Sequence, residues 1–507
     1  MGKFDQQGAR ATLVATLTEP PSAGGEELAR LGADADWLEV RGDLVGDLDA
    51  AWLRARFPGK LLYTLRSADE GGGSEDGVEE RRVRLQRAAA SFDAVDLEGV
   101  RDRDPRLLAA VEPARRVVSW HGPGSDLVTL RERFAQLATI PADLYKLVPG
   151  AETAGEELVP LGLLHSLARR DVVAFASGRL ATWTRLIAPR LGAPVVYGAA
   201  SERPGAPGQP TVRRLVEDFG LPELLPATAL CGVIGDPIEQ SLSPRLHNAL
   251  YRALGVPMLY LPLWVPSFGD FWLEVVESGS LDVLELPWKG FSVTAPHKAA
   301  ALAVAGAASP LAERIGGANT LVHTGDVWEA ESTDPAGVVE PLRAQGVAIG
   351  GARAAVFGAG GAGRAAAVGL EQAGARVVLV NRGAERGRKA SEDLGIELGN
   401  FEGFDPAGFD LLVNATPLGR NGELPFDVRR FGAGATLVDL AYGEEPTPAV
   451  AAARARGLRA IDGREVLLYQ ALIQFQMMTG RAADQDVARR ALGLAAPEAR
   501  SFGKAAS

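Results

Sequence analysis

Eight short apolar or β-branched runs recur between Ala11 and Ser201, each followed by a polar or helical stretch. They start at Ala11 (ATLVATL), Trp37 (WLEVRGDL), Leu61 (LLYTLRS), Ala94 (AVDLEG), Val117 (VVSWHG), Leu144 (LYKLV), Val172 (VVAFAS) and Val195 (VVYGAAS). Runs this continuously apolar suit strands covered on both faces, and the intervening patterns, such as Glu79–Ala90 and Leu127–Ala138, suit helices. Strict strand–helix alternation over this length predicts an α/β fold, a (β/α)8 barrel. A barrel builds its chemistry at the C-terminal ends of its strands. Glu39, Arg41, Arg66, Glu98, His121 and Lys146 all fall at or near such ends.

A lysine inside LYKLV has two readings. It can snorkel from a strand edge, or a desolvated amine can attack a carbonyl. Its companions favour the second reading, because His121 ends the preceding strand and Glu70 follows Arg66 in TLRSADEGG. Nucleophile, proton shuttle and orienting carboxylate form a coherent set. The stretches EVRGD, TLRSADEGG, VVSWH, DLYKL, TWTR and APGQ occur in the order found in type I 3-dehydroquinate dehydratases, which residues 11–212 resemble. The resemblance implies that Lys146 forms an imine with a substrate ketone and that His121 shuttles the proton while Glu70 holds its ring. It further implies that Arg185 pairs with the substrate carboxylate, and that Glu39, Arg41, Arg66 and Gln209 read hydroxyls and close the pocket. The chain departs from the family at Gly205 and Thr184, where serine is usual, and at Ala176-Ser177-Gly178, where Ser-Met-Gly is usual.

Pro210–Phe219 reads as the last barrel helix, and the Pro-punctuated GLPELLPAT after it as a short linker. A strand, ALCGVIGDP, then leads to Ser241 and Ser243 ahead of the amphipathic PRLHNALYRALG. Two hydroxyls there can cap a helix or, with free backbone N–H groups, bind a carboxylate. GDPIEQSLSP, FSVTAPHK, GGANT and ESTDPAG follow the order of the shikimate dehydrogenase family, which this half resembles. The resemblance implies a Lys298–Asp334 pair beside the reacting carbonyl, Lys298 being the acid/base and Asp334 tuning or relaying the proton. Ser241, Ser243, Thr294, Asn319 and Tyr442 are implied in substrate binding, with Gln470 on the substrate and Gln474 one turn away. Ser292, Ser332 and Pro335 stand where the family commonly has Asn, Asn and Gly, and the last two could alter the turn carrying Asp334.

ARAAVFGAGGAGRAAAVGLEQAGARVVLVNR reads as strand, glycine turn, helix and second strand. Gly358-Ala359-Gly360-Gly361-Ala362-Gly363 fills the GxGxxG pattern in the context that makes it a dinucleotide site of Rossmann type. The second strand ends in Asn381 and Arg382, with Arg386 nearby, where NAD enzymes place an acid. Guanidinium there suits a 2′-phosphate, so NADP is the expected cofactor. FDLLVNATPLG adds Asn414, Thr416 and Gly419, resembling the family's nicotinamide-side loop, with Arg420 where Met is frequent.

The expected organisation is a barrel over 1–221, a linker over 222–228, and a reductase substrate lobe over 229–336 completed by 463–495. A Rossmann NADP lobe occupies 337–462. The net charge of −11 argues against nucleic acid or an anionic membrane as partner. The single cysteine, Cys231, precludes an intramolecular disulfide and fits a cytoplasmic location. The five histidines show no metal-ligand spacing, so no metal is expected. No motif specifies an oligomeric state. Taken together, the two resemblances imply a bifunctional shikimate-pathway enzyme, a lyase and an NADP-dependent oxidoreductase. It would dehydrate 3-dehydroquinate to 3-dehydroshikimate and reduce that to shikimate. Two alternatives stand beside this: a lyase joined to a quinate or relaxed dehydrogenase, and a non-catalytic binding protein on the same folds. Retention of Lys146 and Lys298 opposes the latter.

Overall fold

The computed structural model describes residues 10–418 and 426–495. Gly419 and Arg420 lie outside the described residues. Packing groups the chain up to Leu230 with Pro257–Trp288 in one unit, and Cys231–Val256 with the residues from Lys289 onward in another. Pro257–Trp288 falls in the first unit by packing. There Trp264 lies 4.2 Å from the Arg179 guanidinium and Trp288 lies 5.9 Å from Trp183.

All eight expected barrel strands form: β1 (Thr12–Leu17), β2 (Trp37–Arg41), β3 (Lys60–Thr64), β4 (Ala94–Glu98), β5 (Arg116–Gly122), β6 (Leu144–Pro149), β7 (Val172–Ala174) and β8 (Val195–Ala199). One parallel sheet runs from β8 through β1 to β7 in chain order. The three-residue β7 forms no ladder with β8 among the described residues, so the ring is nearly closed. Every residue of β2, β4, β6 and β8 is buried, as expected when helices cover one face and the barrel interior the other. Helix starts are locally encoded. Asp126 accepts from Thr129 N–H and Thr211 from Arg214 N–H, while Gly220 (φ 70°) ends the last barrel helix, Val212–Phe219.

The second unit contains two sheets. Of one six-stranded sheet, five successive strands are Ala229–Gly235, Trp288–Val293, Thr320–Thr324, Val327–Glu331 and Ala307–Ala308. The other is parallel and six-stranded, ordered Glu397–Gly399, Arg376–Val380, Arg353–Phe357, Leu411–Asn414, Thr436–Asp439, Arg459–Ile461. Read in chain order this is 3-2-1-4-5-6, the doubly wound arrangement whose switch point lies between the first and fourth strands. Gly358 and Asn414, at the C-terminal ends of those strands, therefore flank the expected dinucleotide crevice. Helices Asp334–Ala344, Gly361–Gln372 and Gly463–Thr479 pack closely where side chains are small. A Cβ on Gly369 would meet Pro335 Cβ at 2.8 Å, and one on Gly337 would meet Val466 O at 3.0 Å. Pro335 sits in the first turn of its helix, where a missing N–H breaks no helical bond, so this departure leaves Asp334 in place. Among the described residues no helix is long and apolar enough to cross a membrane.

Candidate active sites

A cavity of about 340 Å³ opens at the C-terminal strand ends of the barrel. Glu39, Arg41, Arg66, Glu70, His121, Lys146, Arg185 and Gln209 all line it. Register explains the convergence. Ser119 on β5 lies opposite Lys146 on β6, and His121 is two residues farther along, so all three face inward. Lys146 is 6% exposed, and its Nζ stands 3.9 Å from the Tyr197 ring centroid. Among the described residues it has no carboxylate within ion-pair distance. Burial lowers its pKa, with Arg66 and Arg41 adding to the effect and Glu39 and Asp96 opposing it. That is the environment a nucleophilic amine requires.

Glu70 accepts the His121 backbone N–H at 2.9 Å and lies 3.3 Å from its Nδ1. A proton on Nδ1 facing Glu70 leaves Nε2 as the basic nitrogen. Burial, reinforced by the charges of Arg66, Lys146, Arg41 and Arg185, holds the imidazole pKa well below its usual value. Burial also pushes Glu70 up to about 7, against the pull of Arg66 at 3.1 Å.

Arg66 lines the cavity and is also tied into its wall. Its donors go to Asp96 and Ser119 at 2.9 Å each, to Glu70 and, at 3.4 Å, to Glu98, which makes it the brace of the acidic side of the cavity. Glu98 stands off the wall, 1% exposed, accepting Ser67 N–H at 2.7 Å. Arg41 is gripped by Asp43 at 2.6 and 2.8 Å and donates to Gly205 O at 3.2 Å. Gln209 accepts Gly205 N–H at 2.8 Å, so the backbone of Gly205 is held where the family's serine is missing. Arg185 is different. It is 3% exposed, lies 4.5 Å from the Phe175 ring, has no carboxylate partner among the described residues, and leaves its buried Nε without an acceptor. Burial lowers its pKa to about 10. A cavity-lining guanidinium in that state is a receptor for an anion.

Sequence reasoning missed Thr16 and Thr64, whose hydroxyls each donate to Glu39 at 2.8 Å, and Tyr197 beneath Lys146. The two-residue alternation of β1, β3 and β8 carries that signal once the register is known.

The second cavity, about 310 Å³, is lined by Ser241, Ser243, Thr294, Lys298, Asn319, Asp334, Tyr442, Gln470 and Gln474. Ala362 also borders it, so the cavity reaches the start of the dinucleotide helix. Lys298 and Asp334 form a close ion pair, with side chains 14% and 12% exposed. Asn319 organises the pair. Its Nδ2 donates to Asp334 at 2.8 Å and to Gln470 at 3.1 Å, and its Oδ1 accepts Thr333 N–H at 2.8 Å. Gln474, 2% exposed, accepts from Ser292 at 2.8 Å and donates to Thr320 at 3.0 Å, which makes it a brace under the cavity floor. Ser241 Oγ accepts Ser243 N–H at 3.3 Å, so Ser241 serves as a cap while remaining on the cavity wall.

The residues of the crevice fit a dinucleotide. A Cβ on Gly363 would stand 1.8 Å from Gly358 O, whereas one on Gly360 would meet nothing within 4 Å, leaving room for a pyrophosphate at the helix start. Asn381 Oδ1 accepts Ala359 N–H at 3.0 Å and its Nδ2 donates to Gly383 O at 2.8 Å, tying the glycine turn to the second strand. Arg382 and Arg386 are exposed just beyond that strand, a donor set matched to phosphate. Asn414 is fully buried, donating to Leu418 O at 2.7 Å and Asp439 at 2.9 Å and accepting from Thr416. These bonds hold the loop that follows the strand.

The family model described as type I 3-dehydroquinase matches residues 14–223, that of the shikimate dehydrogenase substrate binding domain 233–321, and that of the shikimate 5′-dehydrogenase C-terminal domain 463–492. A shikimate dehydrogenase (NADP+) from Acidiphilium cryptum is 40% identical over 255 residues, covering 50% of this chain and 90% of that protein. The bifunctional 3-dehydroquinate dehydratase/shikimate dehydrogenase of Arabidopsis thaliana is 27% identical over 500 residues, covering 89% of this chain and 79% of its own length. Among solved structures, shikimate 5-dehydrogenase from Thermus thermophilus covers 52% of this chain and 98% of its own at 31% identity, with a TM-score of 0.47. The chain belongs to the shikimate dehydrogenase family over its second half and to the type I 3-dehydroquinases over its first, the pairing found in bifunctional 3-dehydroquinate dehydratase/shikimate dehydrogenases.

Proposed function

We propose that the chain catalyses two consecutive steps, dehydration of 3-dehydroquinate and NADPH-dependent reduction of the resulting 3-dehydroshikimate to shikimate. The residue-level roles are our reading of the two cavities. In the barrel, Lys146 Nζ attacks the ketone and expels water, forming a cationic imine that acidifies the adjacent C–H. His121 Nε2 takes that proton, and the electron pair flows into the imine to give an enamine. His121 then protonates the departing hydroxyl, which leaves as water, and hydrolysis of the imine frees Lys146. Glu70 holds the imidazole, Arg185 binds the substrate carboxylate, and Glu39, Arg41 and Gln209 contact the remaining hydroxyls.

In the reductase cavity, Lys298 donates a proton to the carbonyl oxygen while Asp334 orients the ammonium. NADPH, when bound, supplies the hydride. Ser241, Ser243 and Tyr442 face the carboxylate, and Thr294, Asn319 and Gln470 the ring hydroxyls. Backbone groups from Gly358 to Gly363 hold the pyrophosphate, Arg382 and Arg386 the 2′-phosphate, and Thr416 the nicotinamide side. The barrel ends at residue 221 and 222–228 links it to the reductase, whose substrate lobe is 229–336 with 463–495 and whose cofactor lobe is 337–462. The cytosol suits the buried, unpaired Cys231.

One observation carries the reading: among the described residues Lys146 has no carboxylate partner, whereas Lys298 is ion-paired next to the dinucleotide helix. Borohydride added during turnover of 3-dehydroquinate should fix one substrate-derived adduct on Lys146, located by peptide mass spectrometry. An adduct elsewhere, or none while dehydration proceeds, would refute the imine.

A further inference from the structure

Arg190, half-buried, shares with Arg185 an open donor and sits at the opposite end of the barrel. Its buried Nε has no acceptor, no carboxylate lies within ion-pair distance among the described residues, and burial lowers its pKa to about 10. Among the described residues its hydrogen bond is from Nη1 to Leu186 O at 3.0 Å. Arg116 shows that this is no general habit of buried arginines here: all three of its nitrogens donate to carbonyls, those of Val111, Pro141 and Leu108. Arg190 lines a surface cavity of about 590 Å³ at the N-terminal strand ends, remote from the catalytic mouth. Arg169 and Arg170 line it too, and the segment Leu224–Thr228 forms another wall. Arg169 is fixed by Asp171 at 2.6 and 2.8 Å, whereas Arg170 is exposed.

Three guanidinium groups against one aspartate leave the cavity positive in a chain whose net charge is −11. A partly desolvated guanidinium with an open donor favours an oxyanion partner. We propose that this cavity is a second anion site, which binds a small oxyanion, phosphate or carboxylate, between Arg190 and Arg170 and against the segment that leads out of the barrel. Occupancy would anchor that segment without touching either reaction.

The test is equilibrium binding of inorganic phosphate, and separately of succinate, to the full-length chain and to the variants Arg190→Gln, Arg170→Gln and Arg185→Gln. Loss of a charge-assisted contact weakens binding by about tenfold or more. Arg190→Gln should remove one bound anion, and Arg170→Gln, on an exposed residue that leaves the fold intact, should weaken the same site about threefold. Arg185→Gln should leave it unchanged, and kcat/KM of both reactions should be unaltered in the first two variants. The tighter of the two probes identifies the anion class. Unchanged phosphate and succinate binding in both Arg190→Gln and Arg170→Gln, or loss of all anion binding in Arg185→Gln, would overturn the proposal.

Discussion

Lys146 and Lys298 occupy cavities of similar size, about 340 and 310 Å³, yet their surroundings are opposite. Lys146 has an aromatic face for a neighbour and no carboxylate within ion-pair distance among the described residues, whereas Lys298 is closed onto Asp334. An amine that must attack carbon needs a free lone pair, which desolvation favours and a carboxylate partner opposes. An amine that must deliver a proton needs to be aimed, which a carboxylate partner secures. On the roles proposed above, the same side chain is set to two chemistries by whether its strand or helix places an acid beside it.

Replacing each lysine breaks the comparison most severely. Lys146→Ala should lower dehydratase kcat by about 10⁴ or more, as removal of a covalent nucleophile does, and leave reduction of 3-dehydroshikimate intact. Lys298→Ala should do the converse, lowering reductase kcat by about 10²–10⁴; steady-state assays of each half-reaction in both variants check the separation. Arg185→Gln should act on binding, raising dehydratase KM by about 10- to 100-fold, with the reductase as internal control. A subtler change probes the site of Lys298. A Cβ on Gly361 would stand 2.9 Å from Lys298 Cδ, so Gly361→Ala should displace the Lys298 side chain and reduce reductase activity by about tenfold. Unchanged kcat would show that the Lys298 side chain moves aside freely.

The smallest expected effect is on stability. Glu157, 1% exposed in the loop after β6, is pushed up to about 7 by burial. Its folded state therefore binds more protons than the unfolded chain between the ordinary glutamate range and about 7, so stability falls as pH rises through that window. Glu157→Gln should raise Tm at pH 8 by a few degrees at most and have less effect at pH 5, measured by thermal denaturation.

The eight strands were legible because strands buried on both faces write themselves as unbroken apolar runs, and Lys146 was conspicuous by interrupting one. GAGGAG was legible for the related reason that its glycines lie between a strand and a helix. The supports of the two sites were not. Thr16, Thr64 and Ser119 are ordinary hydroxyl residues until the parallel register sets them beside Glu39 and Arg66. The place of Asn414 in its loop is visible in sequence, whereas its burial against Asp439 depends on a strand that follows 22 residues later. Pro335 posed the reverse case. Its effect on Asp334 could be judged only when Gly369 was seen to make room for it.

The most direct measurement of the central claim is NADPH absorbance with purified full-length chain and 3-dehydroquinate as the only carbon substrate. The account predicts steady NADPH oxidation, its loss in Lys146→Ala, and its return in that variant when 3-dehydroshikimate is added. NADPH oxidation that persists in Lys146→Ala, or an intact chain that reduces 3-dehydroshikimate but never consumes NADPH from 3-dehydroquinate, would contradict it.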